Sequence, residues 1–394
     1  WLPDESGYYY SRYPHSDNQG HIETTDGSEL WFHKIGTEQT EDTLVWSDPE
    51  HPDRFYGASV TKDGGWLVIS VNEGTSSNNA LLVKGPDETK LRWFITSFTA
   101  SFELIGGIGD TLWFKTDDNA PRGKIVSVTF DGTQTILKDV IPEQKNILRN
   151  ADIVGGKITA TWLKDASTKA TVHSLDGKEL YAVTMPGIGT ASGFAGQNND
   201  TTVYWSYSSY NYPPSTFKLD LRSGKSSIFW QAKFPIDLSD MVVHRQFVTS
   251  SDDAKIPLFI VSHKDTKLNG NNPVLLYGYG GFDISILPHF SSSRSVWMKM
   301  GGIYAVACIR GGSEYGRDWH EGGMLKNKQQ VFDDFIACSE WLIENKWTNS
   351  NKLAIQGGSN GGLLVGACMT QRPDLFGACL PAVGVMDMLR FPLF

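Results

Sequence analysis

Cysteine is scarce: there are four in 394 residues, and Cys308, Cys338, Cys368 and Cys379 all fall in the last quarter. None forms a Cys-x-x-Cys pair, and their neighbours are mostly small or apolar, as in Val306-Ala307-Cys308-Ile309. A secreted disulfide scaffold uses more cysteines and spaces them differently. Buried free thiols, a reducing compartment and a cytoplasmic location are therefore expected. Clusters of positive charge are missing too. With 44 acidic residues against 35 basic ones the formal net charge is −9, and no Lys/Arg cluster supplies the footprint of a general nucleic-acid binder. Apolar runs such as Gly361 to Met369 fall far short of the ~20 residues that span a bilayer. Neither nucleic acid nor a membrane is expected as a partner. No His-x-x-x-His, Cys-x-x-Cys or compact acidic loop occurs, so neither a metal nor a cofactor is expected.

What is present is the composition of a globular chain, 40% hydrophobic and 20% charged with 40 glycines. One hydrophobic core usually stops growing near ~250–300 residues, so at least two domains are expected. The chain opens on Trp1-Leu2-Pro3-Asp4 without an initiator Met or signal peptide and closes on the apolar Arg390-Phe391-Pro392-Leu393-Phe394. A processed or incomplete chain is expected.

The two parts of the sequence follow different patterns. Residues 1–235 read as short strands, such as Tyr8-Tyr9-Tyr10, Trp66 to Ile69, Thr111 to Phe114 and Val203 to Trp205, bounded by Gly, Asp, Asn and Ser. Acidic turn positions recur at Asp87, Asp131, Asp176 and Asp220, spaced by 44, 45 and 44 residues. An independent series of strand anchors, Trp66, Leu112, Ile158 and Val203, steps by 46, 46 and 45. One hairpin turn per ~45 residues suits the four-stranded blade of a β-propeller. About five blades are expected, the first incomplete; a single irregular β-sandwich is the alternative. The tryptophans Trp31, Trp66, Trp113, Trp162 and Trp205 are read as blade packing rather than as a stacking surface for ligands.

From residue 236 to 394 strands and helices alternate. After a hairpin (Met241 to Thr249, Ile256 to Ser262) come buried-strand runs at Pro273 to Tyr277, Gly302 to Ala307 and Lys352 to Gln356. Phe332, Phe335, Ile336, Ser339, Leu342 and Ile343 share one helical face, a further helix runs from Gly361 to about Gln371, and a strand from Cys379 to Val385 follows. This order predicts a mostly parallel sheet covered on both faces.

The sharpest chemical signal is Gly357-Gly358-Ser359-Asn360-Gly361-Gly362, a Gly-x-Ser-x-Gly between a strand and a helix. So tight a turn strains the central residue and lifts its side chain clear of the sheet, while the helix start beneath it favours negative charge. An ordinary serine cap on a glycine-rich helix is the bland alternative. A nucleophilic serine also needs donors for the oxyanion. The Asn360 N–H is one, and the loop Tyr277-Gly278-Tyr279-Gly280-Gly281-Phe282 after an earlier strand is placed to supply another. Its glycine spacing fits neither dinucleotide nor Walker patterns.

Taken in order, Tyr277 to Phe282, Arg310-Gly311-Gly312-Ser313-Glu314-Tyr315-Gly316, Gly357 to Gly362 with Gln371-Arg372-Pro373-Asp374-Leu375-Phe376, and Val383-Gly384-Val385-Met386-Asp387-Met388 resemble the prolyl oligopeptidase family. The resemblance is highly specific from about residue 240 onward and looser before it. It implies a seven-bladed β-propeller, about five blades of it in this chain, joined to an α/β-hydrolase domain that is incomplete here. It further implies cleavage of short proline-containing peptides after proline, with Ser359 as nucleophile, the Tyr279 hydroxyl beside the Asn360 N–H in the oxyanion hole, and Phe282 and Val385 lining an apolar proline pocket. A monomer is expected.

Two departures stand out. Ser313 replaces the family's usual glycine after Arg-Gly-Gly, a change expected to be tolerated. More seriously, all nine histidines precede Ser359, and only Asp374 and Asp387 follow it, whereas an α/β-hydrolase orders its triad Ser, Asp, His. The acid and base are expected beyond Phe394. The readings in view are a prolyl-specific serine peptidase, a related oligopeptidase, dipeptidyl peptidase or peptide macrocyclase of the same family, and, in a different class, a non-catalytic propeller binding protein.

Overall fold

The computed structural model describes residues 1–13, 26–74, 76–130 and 135–393. In the first part, alternation of apolar and polar residues gives half-buried antiparallel strands; from Val203 to Ser209 every second side chain is buried. Among the described residues these strands form five sheets. The first contains β1 (Gly7–Arg12), β2 (Glu29–Lys34) and β3 (Thr43–Trp46). Four-stranded meanders follow: β4 (Arg54–Val60) to β7 (Arg92–Ile95) through β5 (Leu67–Glu73) and β6 (Asn79–Lys84), then β8 (Phe102–Ile108), β9 (Thr111–Thr116), β10 (Lys124–Phe130) and β11 (Thr135–Ile141). The fourth holds β12 (Ile147–Val154), β13 (Lys157–Lys164), β14 (Ser167–Ser174) and β15 (Glu179–Val183), and the fifth β16 (Thr190–Gly193), β17 (Thr202–Ser209), β18 (Tyr212–Asp220) and β19 (Ser226–Gln231).

These are propeller blades. Asp87, Asp176 and Asp220 each stand where the third strand of a blade turns into the fourth; Asp131, the remaining member of that series, lies outside the described residues. Trp66, Leu112, Ile158 and Val203 all mark the start of a second strand, and all are buried. Contacts that skip a blade show convergence on an axis. Lys62 after β4 pairs with Asp152 of β12 at 2.5 Å, and Asn198 before β17 donates to the Gly107 carbonyl of β8 at 3.2 Å. Trp66, Trp113, Trp162 and Trp205 are buried in the blades, whereas Trp31 is half-buried beneath the Arg12 guanidinium. Trp66 meets Phe130 of the next blade with ring centroids 4.4 Å apart, and Trp205 stacks between Phe194 and Phe217.

Beyond the fifth blade a six-stranded mixed sheet takes over, in the order β20-β21-β23-β22-β24-β25. Its strands are β20 (Met241–Thr249), β21 (Lys255–His263), β22 (Val274–Tyr277), β23 (Ile303–Ala307), β24 (Leu353–Gly358) and β25 (Ala378–Ala382). β20, β21 and β23 pair antiparallel, and the rest of the sheet is parallel. Both faces are buried, which explains why these strands read as continuous apolar runs. One face (Ile256, Leu258, Ile260, Ala305) packs on α3 (Lys328–Glu344) and α4 (Asn360–Gln371) through Val331, Phe335, Leu364 and Val365. The opposite face (Phe259, Val261, Tyr304, Val306) meets Met298 of α1 (Ser292–Lys299) and, from the propeller, Ala166 and Tyr210, and a short α2 (Arg317–Glu321) precedes α3. Of the helical face predicted for α3, Phe332, Phe335, Ser339 and Leu342 are buried, and Ile336 and Ile343 pack at its margin. All four cysteines are free, three buried and Cys379 half-buried. The last strand is shorter than its sequence suggests. It ends at Ala382, because Val383 takes a left-handed φ of 44° and turns the chain away.

Candidate active site

The C-terminal ends of the parallel strands β22 and β24 lie side by side, with Tyr277 level with Gln356, so the loop after each emerges at the same edge of the sheet. Between β24 and α4 the single residue Ser359 has φ 55° and ψ −118°. For a non-glycine residue such a conformation costs of order 1–3 kcal/mol and persists only when its surroundings enforce it. Here the Ser359 N–H donates to the Ala382 carbonyl of β25 at 2.9 Å, and the Ser359 carbonyl accepts from Gly362 at 2.8 Å and Leu363 at 3.2 Å. Close backbone approach explains the glycines. A Cβ at Gly357 would lie 2.2 Å from the Gly361 carbonyl oxygen, and one at Gly361 2.7 Å from that of Gly278. The side chain of Ser359 is exposed and makes no cap to the helix. The bland cap reading therefore fails.

The first N–H groups of a helix have no partner within it, and the Asn360 N–H opens α4 in this way. Its side chain reaches the other loop, with Nδ2 donating to the Tyr279 carbonyl at 2.6 Å. Gly280 is left-handed at φ 67°, and a Cβ there would strike Val331 at 2.3 Å, while one at Gly281 would lie 2.6 Å from Asn360 Nδ2. The structure thus brings Ser359, Asn360 and Tyr279 together. It adds a residue that the sequence did not single out. Lys328 Nζ donates to the Gly280 carbonyl at 2.8 Å and to Asn360 Oδ1 at 3.0 Å, and burial pushes its pKa down to about 8. A signal was there to find: a lysine opens α3, where the helix dipole disfavours a cation.

Phe282 and Val385 flank this centre on separate loops. Phe282, at φ 55°, is 74% exposed. Its segment is tied down by the Asp283 N–H on the Gly311 carbonyl at 3.1 Å and by Ser313 Oγ, which donates to the Asp283 carbonyl at 2.6 Å. Ser313 is therefore more than tolerated, since Arg149 of the propeller also donates to its hydroxyl at 3.3 Å. Val385 is 41% exposed and follows Gly384, whose Cα would stand 2.7 Å from a Cβ on Gly362 of α4. That contact sets the Val385 loop against the helix start.

Among the described residues no acid or base joins the serine. Among the described residues nothing hydrogen-bonds the Ser359 hydroxyl, and Nδ1 of His320, the last histidine before it, lies 2.8 Å from the Gly311 carbonyl. Asp374 is engaged by Arg372, and Asp387 by Arg390. The seam with the propeller carries further polar contacts, including Arg317 to Asp117 at 2.7 Å and Tyr315 to Asp165 at 3.3 Å. Within it Glu314 is buried, and burial pushes its pKa up to about 7, although Oε1 accepts from the Ile286 N–H at 2.7 Å. A further buried cluster braces the sheet: Asp334 of α3 accepts from Arg310 and from Ser250 Oγ, and Asp252 holds the other side of the guanidinium.

Blades docked on a mixed sheet that carries a strained serine between strand and helix define a propeller-bearing α/β-hydrolase. Comparison with known proteins narrows this. Residues 1–232 match the family described as "Prolyl oligopeptidase, N-terminal beta-propeller domain" and residues 288–394 the "Prolyl oligopeptidase family", and the chain belongs to that family. It is 40% identical over its whole length to a prolyl endopeptidase of Elizabethkingia miricola and 33% identical to the dual function macrocyclase-peptidase POPB of Galerina marginata, covering 56% of each. The chain thus spans about half the length of the curated relatives it matches. Among solved structures, prolyl oligopeptidase B from Galerina marginata bound to a 25mer macrocyclization substrate superposes with a TM-score of 0.91 at 33% identity, the match covering all of this chain and 56% of that one. A prolyl endopeptidase structure gives 0.89 at 38% identity, with 58% of its chain covered.

Proposed function

We propose that the protein is a serine-type endopeptidase that hydrolyses short peptides on the carboxyl side of proline through an acyl-enzyme on Ser359. The observation that carries this reading is the left-handed, exposed Ser359 at the start of a helix whose first N–H has no partner within the helix. In this mechanism Ser359 Oγ attacks the peptide carbonyl and gives its proton to a general base. The oxyanion accepts from the Asn360 N–H and the Tyr279 hydroxyl, donors whose value lies in the charge that develops there. The carbon–nitrogen bond then breaks as the base returns the proton to the leaving amine, and water cleaves the acyl-serine. Among the described residues none hydrogen-bonds the Ser359 hydroxyl as that base, and the chain matches 56% of the length of the prolyl endopeptidase of Elizabethkingia miricola. Phe282 and Val385 offer apolar surface for the proline ring. Residues 1–235 act as a propeller that restricts access by size, and 236–394 as the catalytic portion.

A second acceptor is favoured by a relative named a macrocyclase-peptidase. An amine of the same peptide would then replace water, giving a cyclic product. A non-catalytic binding role leaves the strain at Ser359 without a purpose. Ser359→Ala in the full-length protein should abolish both cleavage after proline and labelling by a serine-directed phosphonate. Full labelling of that variant refutes the assignment, and mass spectrometry of the wild-type products separates water from amine as acceptor.

A further inference from the structure

We propose that Lys328 is a positioning residue for the oxyanion site: its ammonium locks the Tyr279–Gly280 loop to Asn360 and so sets the separation of the Tyr279 hydroxyl from the Asn360 N–H. The inference rests on the acyl-transfer reading of Ser359. Two consecutive carbonyls of the loop are held from the elbow side, Tyr279 by Asn360 Nδ2 at 2.6 Å and Gly280 by Lys328 Nζ at 2.8 Å. The two holders are themselves joined, Nζ to Oδ1 at 3.0 Å. The result is a closed ring of contacts through α3, the loop and the first residue of α4. With both carbonyls fixed, the peptide planes on either side of Gly280 have no freedom to rotate, and the Cα of Tyr279 is pinned beside Gly361.

The cost of this arrangement argues for a role other than fold stability. The ammonium is largely desolvated and, among the described residues, has no carboxylate partner; it also opens a helix, at the end where the dipole repels a cation. The ring of Phe332 lies 5.9 Å away and offers an apolar neighbour. A methionine would pack there without the charge. What the ammonium supplies and an apolar side chain does not is a pair of directed donors, and misplacing a reacting group by about 1 Å can cost ~10²-fold in rate.

The test uses the full-length protein and a proline-containing amide substrate. Lys328→Met should lower kcat roughly 10–100-fold while KM changes by less than about threefold. In a Tyr279→Phe background the same substitution should cost less than about threefold, because the hydroxyl it positions is already gone. Asn360→Ala opens the ring from its other side while keeping the backbone N–H, and should show the same kcat-only loss and the same non-additivity. It decides the matter if the methionine variant fails to fold. Unchanged kcat, an equal rise in KM, or full additivity with Tyr279→Phe overturns the proposal. A wild-type protein that neither cleaves nor takes the phosphonate label fails the reading of Ser359 itself, whereas an active wild type with an unaffected Lys328→Met fails only the clamp.

Discussion

Replacing Glu314 with glutamine should stabilise the protein at neutral and alkaline pH and do nothing in acid. The carboxyl sits in the seam between sheet and propeller, 1% exposed, and burial lifts its pKa from the ordinary 4.5 to about 7. Below 4.5 the folded and unfolded chains both hold the proton, so no difference arises. As pH rises the unfolded chain ionises first, and stability drains away until the folded group also ionises near 7. Above that the loss is constant, roughly 3 kcal/mol. Glutamine is neutral throughout and keeps an oxygen for the Ile286 N–H, which now contacts Oε1 at 2.7 Å. At roughly 2–4 °C per kcal/mol for a domain of this size, the variant should melt about 6–12 °C higher near pH 8. Melting both proteins from about pH 4 to pH 8.5 isolates the effect, because the other carboxylates cancel in the difference. A difference that does not change with pH, or a variant that melts lower at pH 8, refutes the reasoning.

Tyr279→Phe keeps the ring and removes one oxyanion donor, so kcat on an amide substrate should fall ~10²–10³-fold with KM little changed; unchanged turnover removes Tyr279 from the mechanism. Asp334→Ala leaves the buried Arg310, among the described residues, with Asp252 as its one acidic partner and strips Ser250 of its acceptor, which should destabilise the hydrolase portion by about 3–5 kcal/mol in denaturant titrations, and a loss under 1 kcal/mol counts against the cluster as a brace.

Much of this architecture was legible in the sequence because it is written in local chemistry. A hairpin needs turn residues at fixed positions and a half-buried strand needs alternation, so Asp87, Asp176 and Asp220, and the buried Trp66 to Val203 series, gave the blade period directly. The elbow was equally local, since its glycines lie within two residues of Ser359 on either side. What escaped depends on distant partners. Lys328 matters only because Gly280 and Asn360, 48 and 32 residues away, converge on it. Ser313 looked like a small substitution until folding placed the Asp283 carbonyl and Arg149 beside it. Glu314 gave no hint of burial, because the Ile286 N–H that its carboxyl accepts from is 28 residues away. The end of β25 was missed for a subtler reason: Val383 is a strong strand former held in a left-handed turn, a conformation its side chain disfavours and its neighbours impose.

The crossing of backbones beneath Ser359 also limits how the gene can change. Gly357 and Gly358 look interchangeable on the page, yet an added methyl group at 357 would collide with the Gly361 carbonyl, whereas at 358 its closest neighbour is the Ala382 oxygen, 4.0 Å away. Under selection for activity, position 358 is free to drift to alanine, while 357 and 361 are held to glycine together. No single second change relieves a clash between two main chains, because neither can withdraw without carrying β24 or α4 with it. Such a pair has no neutral path between states, so descendants of this sequence keep both glycines or abandon the elbow altogether.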